Sequence, residues 1–205
     1  MSTSPTRVIV VLAVGCLVVL TACTGPANER EQSPSASPHP IPQVTNPRDV
    51  AVMARRTCEL LTPQQAGGFG LDLPPQQFEG LFGTVNCEWR TTTRDRRVVR
   101  RVGVSVFTDN PTLEVVYRQR ASHPFFELTQ IGGYPAIATR SNADLPICDI
   151  DLKPAERQSV TVSYSSEEFD NDPQQACSVG KQVAEAVLTD LPPLPDREDK
   201  DVTRQ

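Results

Sequence analysis

Val85-Asn86-Cys87-Glu88-Trp89-Arg90 alternates with a period of two, and Val98 to Phe107 does the same, with Val98, Val102, Val104 and Val106 sharing one face. Arg94-Asp95-Arg96 lies between the two runs, so the stretch predicts an antiparallel hairpin with one buried face. Further short strands are expected at about 126–131, 134–139, 147–152 and 159–164. The first two of these are joined by Gly132-Gly133, a two-residue hairpin turn.

Helical spacing flanks these strands. Val50, Met53, Ala54, Cys58 and Leu61 recur at intervals of three and four, which predicts an amphipathic helix over Asp49 to Leu61. Thr62-Pro63-Gln64-Gln65 then offers a capping box and a proline at the first helical position, for a short second helix ending at Gly67-Gly68. Asn110-Pro111 opens a helix through Leu113, Val116, Tyr117 and Arg120. Asp172, read as an N-cap, opens a last one with Ala176, Val179, Val183, Ala186 or Val187, and Leu191 on its apolar stripe. The fold class this predicts is α+β: a twisted antiparallel sheet with helices packed on it.

The N-terminus carries a different signal. After Arg7, the uncharged run Val8 to Leu20 has the length of a signal-peptide core and falls short of the roughly 20 apolar residues that span a bilayer. It ends in Leu20-Thr21-Ala22-Cys23, a branched residue, two small ones and a cysteine, which resembles the lipobox of bacterial prolipoproteins. Residues 1–22 are therefore expected to be a signal peptide and Cys23 the lipid attachment site. Thioether-linked diacylglycerol there, often with an N-acyl chain, supplies the two chains that stable anchoring requires.

Residues 23–47 follow as a linker, with Pro at 26, 34, 38, 40, 42 and 47, a composition that buries little apolar surface. At about 3.1 Å per residue its upper reach is roughly 75 Å. Residues 48–191 form the expected folded domain, and 192–205 an expected flexible charged tail. Without residues 1–22 the chain keeps 19 cationic against 25 acidic side chains, a net charge of −6. Acidity and a single Trp disfavour nucleic acid as a partner.

Four cysteines remain in the domain, Cys58, Cys87, Cys148 and Cys177. An even number in an exported chain predicts two disulfides. Of the three pairings, the sequential one closes two similar loops and is the expected one. No C-x-x-C pair is present to suggest a zinc or dithiol redox centre.

Arg56-Thr57-Cys58-Glu59-Leu60-Leu61-Thr62-Pro63-Gln64-Gln65-Ala66, with Gly70-Leu71, Cys87-Glu88-Trp89, Cys148 and Ala176-Cys177, resembles an actinobacterial lipoprotein family built on a domain of unknown function, the LprB/LprC-like group. The resemblance covers nearly the whole chain after Cys23. It implies a lipid-anchored envelope protein on the extracytoplasmic face of the cell membrane. Its motifs are structural, so it implies no active-site residues.

The candidate functional residues are few. His39 lies in the linker and His123 in a loop before Pro124, with no G-x-S-x-G or H-E-x-x-H to pair with them. Asp149 and Asp151 share one strand face about 6 to 7 Å apart, near the spacing of some glycosidase carboxylates. That pair carries the enzyme alternative, a cell-wall-acting glycan hydrolase; the simpler account is an outward polar sheet face. Glu167, Glu168, Asp170 and Asp172 lack the glycine of a calcium loop. Trp89 is either a stacking platform or, two residues from Cys87, packing over a disulfide. Phe125, Phe126 and Tyr134 divide likewise between core and cleft lining. Arg94, Arg96, Arg97, Arg100 and Arg101 form a basic stretch, read either as a solvated hairpin turn or as an anion or cell-wall contact.

The function this favours is a non-catalytic ligand- or partner-binding domain, with Trp89, Arg97 and Arg100 as its candidate binding surface. A sensor-like domain with a cleft between sheet and helix is the variant. The expected partners are the membrane, through Cys23, and a cell-wall component or envelope protein. No metal, cofactor or catalytic residue is expected.

Overall fold

The computed structural model describes residues 41–80 and 84–195. The expected signal peptide, Cys23, most of the expected linker and residues 196–205 lie outside the described residues. Among the described residues, no helix is long and apolar enough to cross a membrane.

Seven strands form one antiparallel sheet: β1 (Gln76–Glu79), β2 (Val85–Thr92), β3 (Val98–Phe107), β4 (Phe125–Ile131), β5 (Tyr134–Arg140), β6 (Ile147–Ala155) and β7 (Gln158–Ser166). Their order is β1-β2-β3-β7-β6-β5-β4. The period-two pattern explains the pairing: Cys87, Val104, Val162, Ile150 and Ala138 occupy one rung and point to one face. At the β4–β5 turn, Gly132 and Gly133 take φ of 56° and 84°, the left-handed pair that a tight hairpin requires.

Three helices pack on this sheet: α1 (Pro63–Gly68), α2 (Thr112–Arg118) and α3 (Gln175–Thr189). α3 lies chiefly over β6 and β7, burying Ala176, Cys177, Gly180, Val183, Ala184, Val187 and Leu188. Gly180 sets its closeness, since a Cβ there would stand 3.3 Å from Ile150 Cγ1 and 3.4 Å from Tyr164 Cβ. Two disulfides fasten this cover to the sheet, Cys58–Cys87 and Cys148–Cys177, the sequential pairing.

The opposite face carries a second, smaller apolar cluster. Leu113, Val116 and Tyr117 of α2 pack with Ile41, Phe126, Leu128 and Ile137. Beside it Lys153 reaches Glu114 of α2 at 2.8 Å.

Several expectations are corrected. Asp49 to Leu61 is two 3₁₀ turns, Ala51–Met53 and Thr57–Glu59, rather than one helix. Arg56 leaves the helical region at φ −126°, ψ 34°, the Thr57 hydroxyl donates to the Val85 carbonyl at 2.8 Å, and Cys58 is bridged to Cys87. Ties to β2 thus override the helical spacing, which still buries Val50, Met53, Leu60 and Leu61. α3 starts at Gln175 with no side-chain cap, so Asp172 is not its N-cap. Packing begins by Ile41, ahead of residue 48, and at the other end the Leu194 amide donates to the Pro47 carbonyl at 2.9 Å.

Candidate functional site

Trp89 and the aspartates face opposite sides of the sheet. Trp89 shares a rung with Val102, Tyr164 and Cys148, beneath the disulfide-linked cover, and is 1% exposed. A stacking platform has to be open to its ligand, so Trp89 is not an exposed sugar platform. It forms instead part of the wall of an apolar pocket.

That pocket has a volume of about 360 Å³ and is lined by Cys58, Leu61, Pro63, Ala66, Leu71, Asp72, Leu73, Pro74, Pro75 and Trp89. Its walls follow from local sequence. In α1 the Thr62 hydroxyl accepts the Gln65 amide at 3.2 Å, and Gln65 Oε1 accepts the Thr62 amide at 2.7 Å, a capping box that fixes the helix start. The chain then turns at Gly70, φ 69°, and runs back along β2, where the Leu73 amide donates to the Arg90 carbonyl at 3.1 Å. The Thr91 hydroxyl holds the Gly70 carbonyl. Pro74 and Pro75 stiffen the far rim.

Arg100 clamps the same loop. Its Nη1 donates to the carbonyls of Phe69 and Gly70, each at 3.3 Å, and its Nη2 pairs with Glu168 at 2.6 Å. Arg97 pairs with Glu167, and Arg90 and Arg101 share Glu88 at 3.2 and 3.3 Å. The candidate surface arginines are therefore engaged within the fold, and Arg100 positions the pocket's loop. Only the loop's glycine and the Thr-Pro-Gln-Gln start hinted at this arrangement in the sequence.

Asp149 and Asp151 lie on the other face, flanked by Thr139, Ile137, Ser163 and Thr161. Asp151 is 5% exposed and accepts a hydrogen bond from the Thr161 hydroxyl at 2.6 Å. Burial pushes its carboxyl up to about 6; the Thr161 hydrogen bond opposes this and the charge of Asp149 adds to it. A carboxyl raised towards neutrality suits a general acid, but this one is covered. Among the described residues no group of three His, Cys, Asp or Glu side chains is placed to hold a metal ion.

Phe126 belongs to the α2 cluster, and Phe125 packs on the main core. The Tyr134 hydroxyl donates to the Asn46 carbonyl at 2.8 Å, tying the incoming chain to β5.

Fold and pocket define a disulfide-bonded α+β domain whose antiparallel sheet is covered chiefly on one face and in part on the other. Residues 18–190 match the model of the family described as protein of unknown function, DUF3558, and the chain belongs to that family. No curated protein and no solved structure matches it.

Proposed function

We propose that this chain is an envelope lipoprotein, anchored by lipid on Cys23 to the extracytoplasmic face of the cell membrane, whose domain binds a ligand or partner without catalysis. The pocket beside Trp89 carries the binding reading. Its volume of about 360 Å³ falls at the lower end of small-molecule sites, roughly 300 to 1,000 Å³, and its lining is apolar apart from Asp72 at the rim. An apolar group of a cell-wall component or envelope protein suits that chemistry. The anchor rests on Leu20-Thr21-Ala22-Cys23 placed after an apolar run. Two disulfides agree with an oxidising compartment.

One observation favours the enzyme alternative, the raised Asp151 carboxyl beside Asp149. The double variant Asp149→Asn/Asp151→Asn separates the two. Binding of cell-wall fragments in a pull-down should survive it; loss of a glycan-cleaving activity in a well-folded double variant would support the hydrolase instead. For the anchor, metabolic labelling with a fatty-acid probe should mark the natural chain and not Cys23→Ala.

A further inference from the structure

The two edges of the sheet are built differently. β1 has four residues, all exposed, enters from Pro74-Pro75 and ends on Glu79. Shortness, prolines and charge are the devices that keep an edge from pairing with another chain. β4 also enters from a proline, Pro124, but it is not short. Its seven residues, Phe125-Phe126-Glu127-Leu128-Thr129-Gln130-Ile131, pair one to one with β5 without a bulge, and the aromatic and branched side chains favour strand. Its single charge, Glu127, is held by Lys181 at 2.6 and 2.7 Å.

Beyond β4 no further strand is present among the described residues, so alternate N–H and C=O groups of β4 face outward. The helices lie on the faces of the sheet, α3 chiefly over β6 and β7 and α2 over β5 and β6, with Tyr117 meeting Phe126 and Lys181 meeting Glu127 through their side chains. Ile41, where the described residues begin, packs in the cluster that Phe126 and Leu128 join. The sequence ahead of it holds Pro34, Pro38 and Pro40, which have no N–H to donate to a ladder.

We propose that β4 pairs antiparallel with β4 of a second copy of this chain, across a two-fold axis through Leu128. This is the one register that pairs all seven residues. Phe125 then opposes Ile131, Phe126 opposes Gln130, and Glu127 opposes Thr129, so that no like charges meet and each face stays continuous from one copy to the other.

Charge swaps at Thr129 test the register. The purified full chain, in detergent where it carries lipid, should sediment as a dimer that dissociates on dilution. Thr129→Glu places two carboxylates opposite each other twice by symmetry and should weaken the dimer at least roughly tenfold. Thr129→Lys faces Glu127 of the other copy and should leave it intact, and Glu127→Lys with Thr129→Glu should restore it. Hydrogen exchange on the unaltered chain gives an arm independent of variant folding: alternate β4 amides should gain protection as concentration rises. A natural chain that stays monomeric up to high concentration, or β4 amides whose exchange ignores concentration, would overturn the proposal.

Discussion

The two faces of the sheet solve the same problem of coverage by different means. The face carrying Trp89 is covered by α3, α1 and the 3₁₀ segment, cross-linked twice over the larger apolar core. The face carrying Asp149 and Asp151 is covered in part by the seven-residue α2, without a cross-link, and buries Lys153 and Asp151 among its apolar groups. Stability is therefore concentrated on one face, and the pocket lies there because its walls are the cover itself. The other face keeps a buried carboxyl at an energetic cost.

That contrast gives graded predictions. The largest effect belongs to Trp89: truncation to Ala should cost about 3 to 5 kcal/mol, a large part of the roughly 5 to 15 kcal/mol typical of a domain, whereas Ser163→Ala on the opposite face should stay within about 0.5 kcal/mol. Urea melts of the two variants measure the difference, and equal losses would break the contrast.

Disulfide loss should rank next. Each bridge joins residues 29 apart, which in the chain-entropy model contributes about 3 to 4 kcal/mol. The consequences should differ in kind. α3 buries seven of its residues and should stay docked in Cys148→Ser/Cys177→Ser. Thr57–Glu59 is a single turn, so Cys58→Ser/Cys87→Ser should loosen residues 57–75, seen as faster amide exchange there.

Asp151 supplies a gain instead of a loss. Its carboxyl binds a proton in the fold near pH 6 and in the unfolded chain near 3.8. The folded state thus holds the extra proton between these values, so this contribution is fully present at low pH and is lost as pH rises through about 6. The difference corresponds to about 3 kcal/mol. Asp151→Asn keeps an acceptor for Thr161, should raise the melting temperature at pH 7, and should flatten the stability profile between about pH 4 and 6. A lower melting temperature at pH 7 would show that the charge is stabilised rather than strained.

A smaller loss than these is expected at the pocket's wall. Thr62→Ala removes the capping box and should cost about 1 kcal/mol, read as a modest shift in the urea midpoint.

Six of the seven strands could be read, β2 and β3 from alternation and β4 to β7 as further short runs, the first two joined by the Gly132-Gly133 turn. β1 could not: Gln76-Gln77-Phe78-Glu79 is exposed throughout and joins the sheet through its backbone, which leaves no period in the side chains. Asp49 to Leu61 misled for the converse reason, since its helical spacing of buried residues survives in two short turns held by Thr57 and the Cys58 bridge. The capping box at Thr62 and Gln65 was legible because both partners lie within four residues. Arg100 as a clamp on Phe69 and Gly70 was not, since nothing local marks a contact 30 residues away. The burial of Asp151 was hidden similarly, because strand alternation places it on a polar face and only the packing of α2 and Ile41 shows that this face is partly closed.

Trp89 is the only tryptophan in the chain and borders the pocket, so its fluorescence reports on the central claim directly. Titration with a short-chain alkyl glycoside below its micelle concentration should change its emission saturably. Leu73→Asp puts a charge on the exposed rim and should abolish that response with little change in melting temperature, while Asp149→Asn/Asp151→Asn should retain it. An emission that does not respond, or a response that Leu73→Asp leaves unchanged, would contradict a binding pocket beside Trp89.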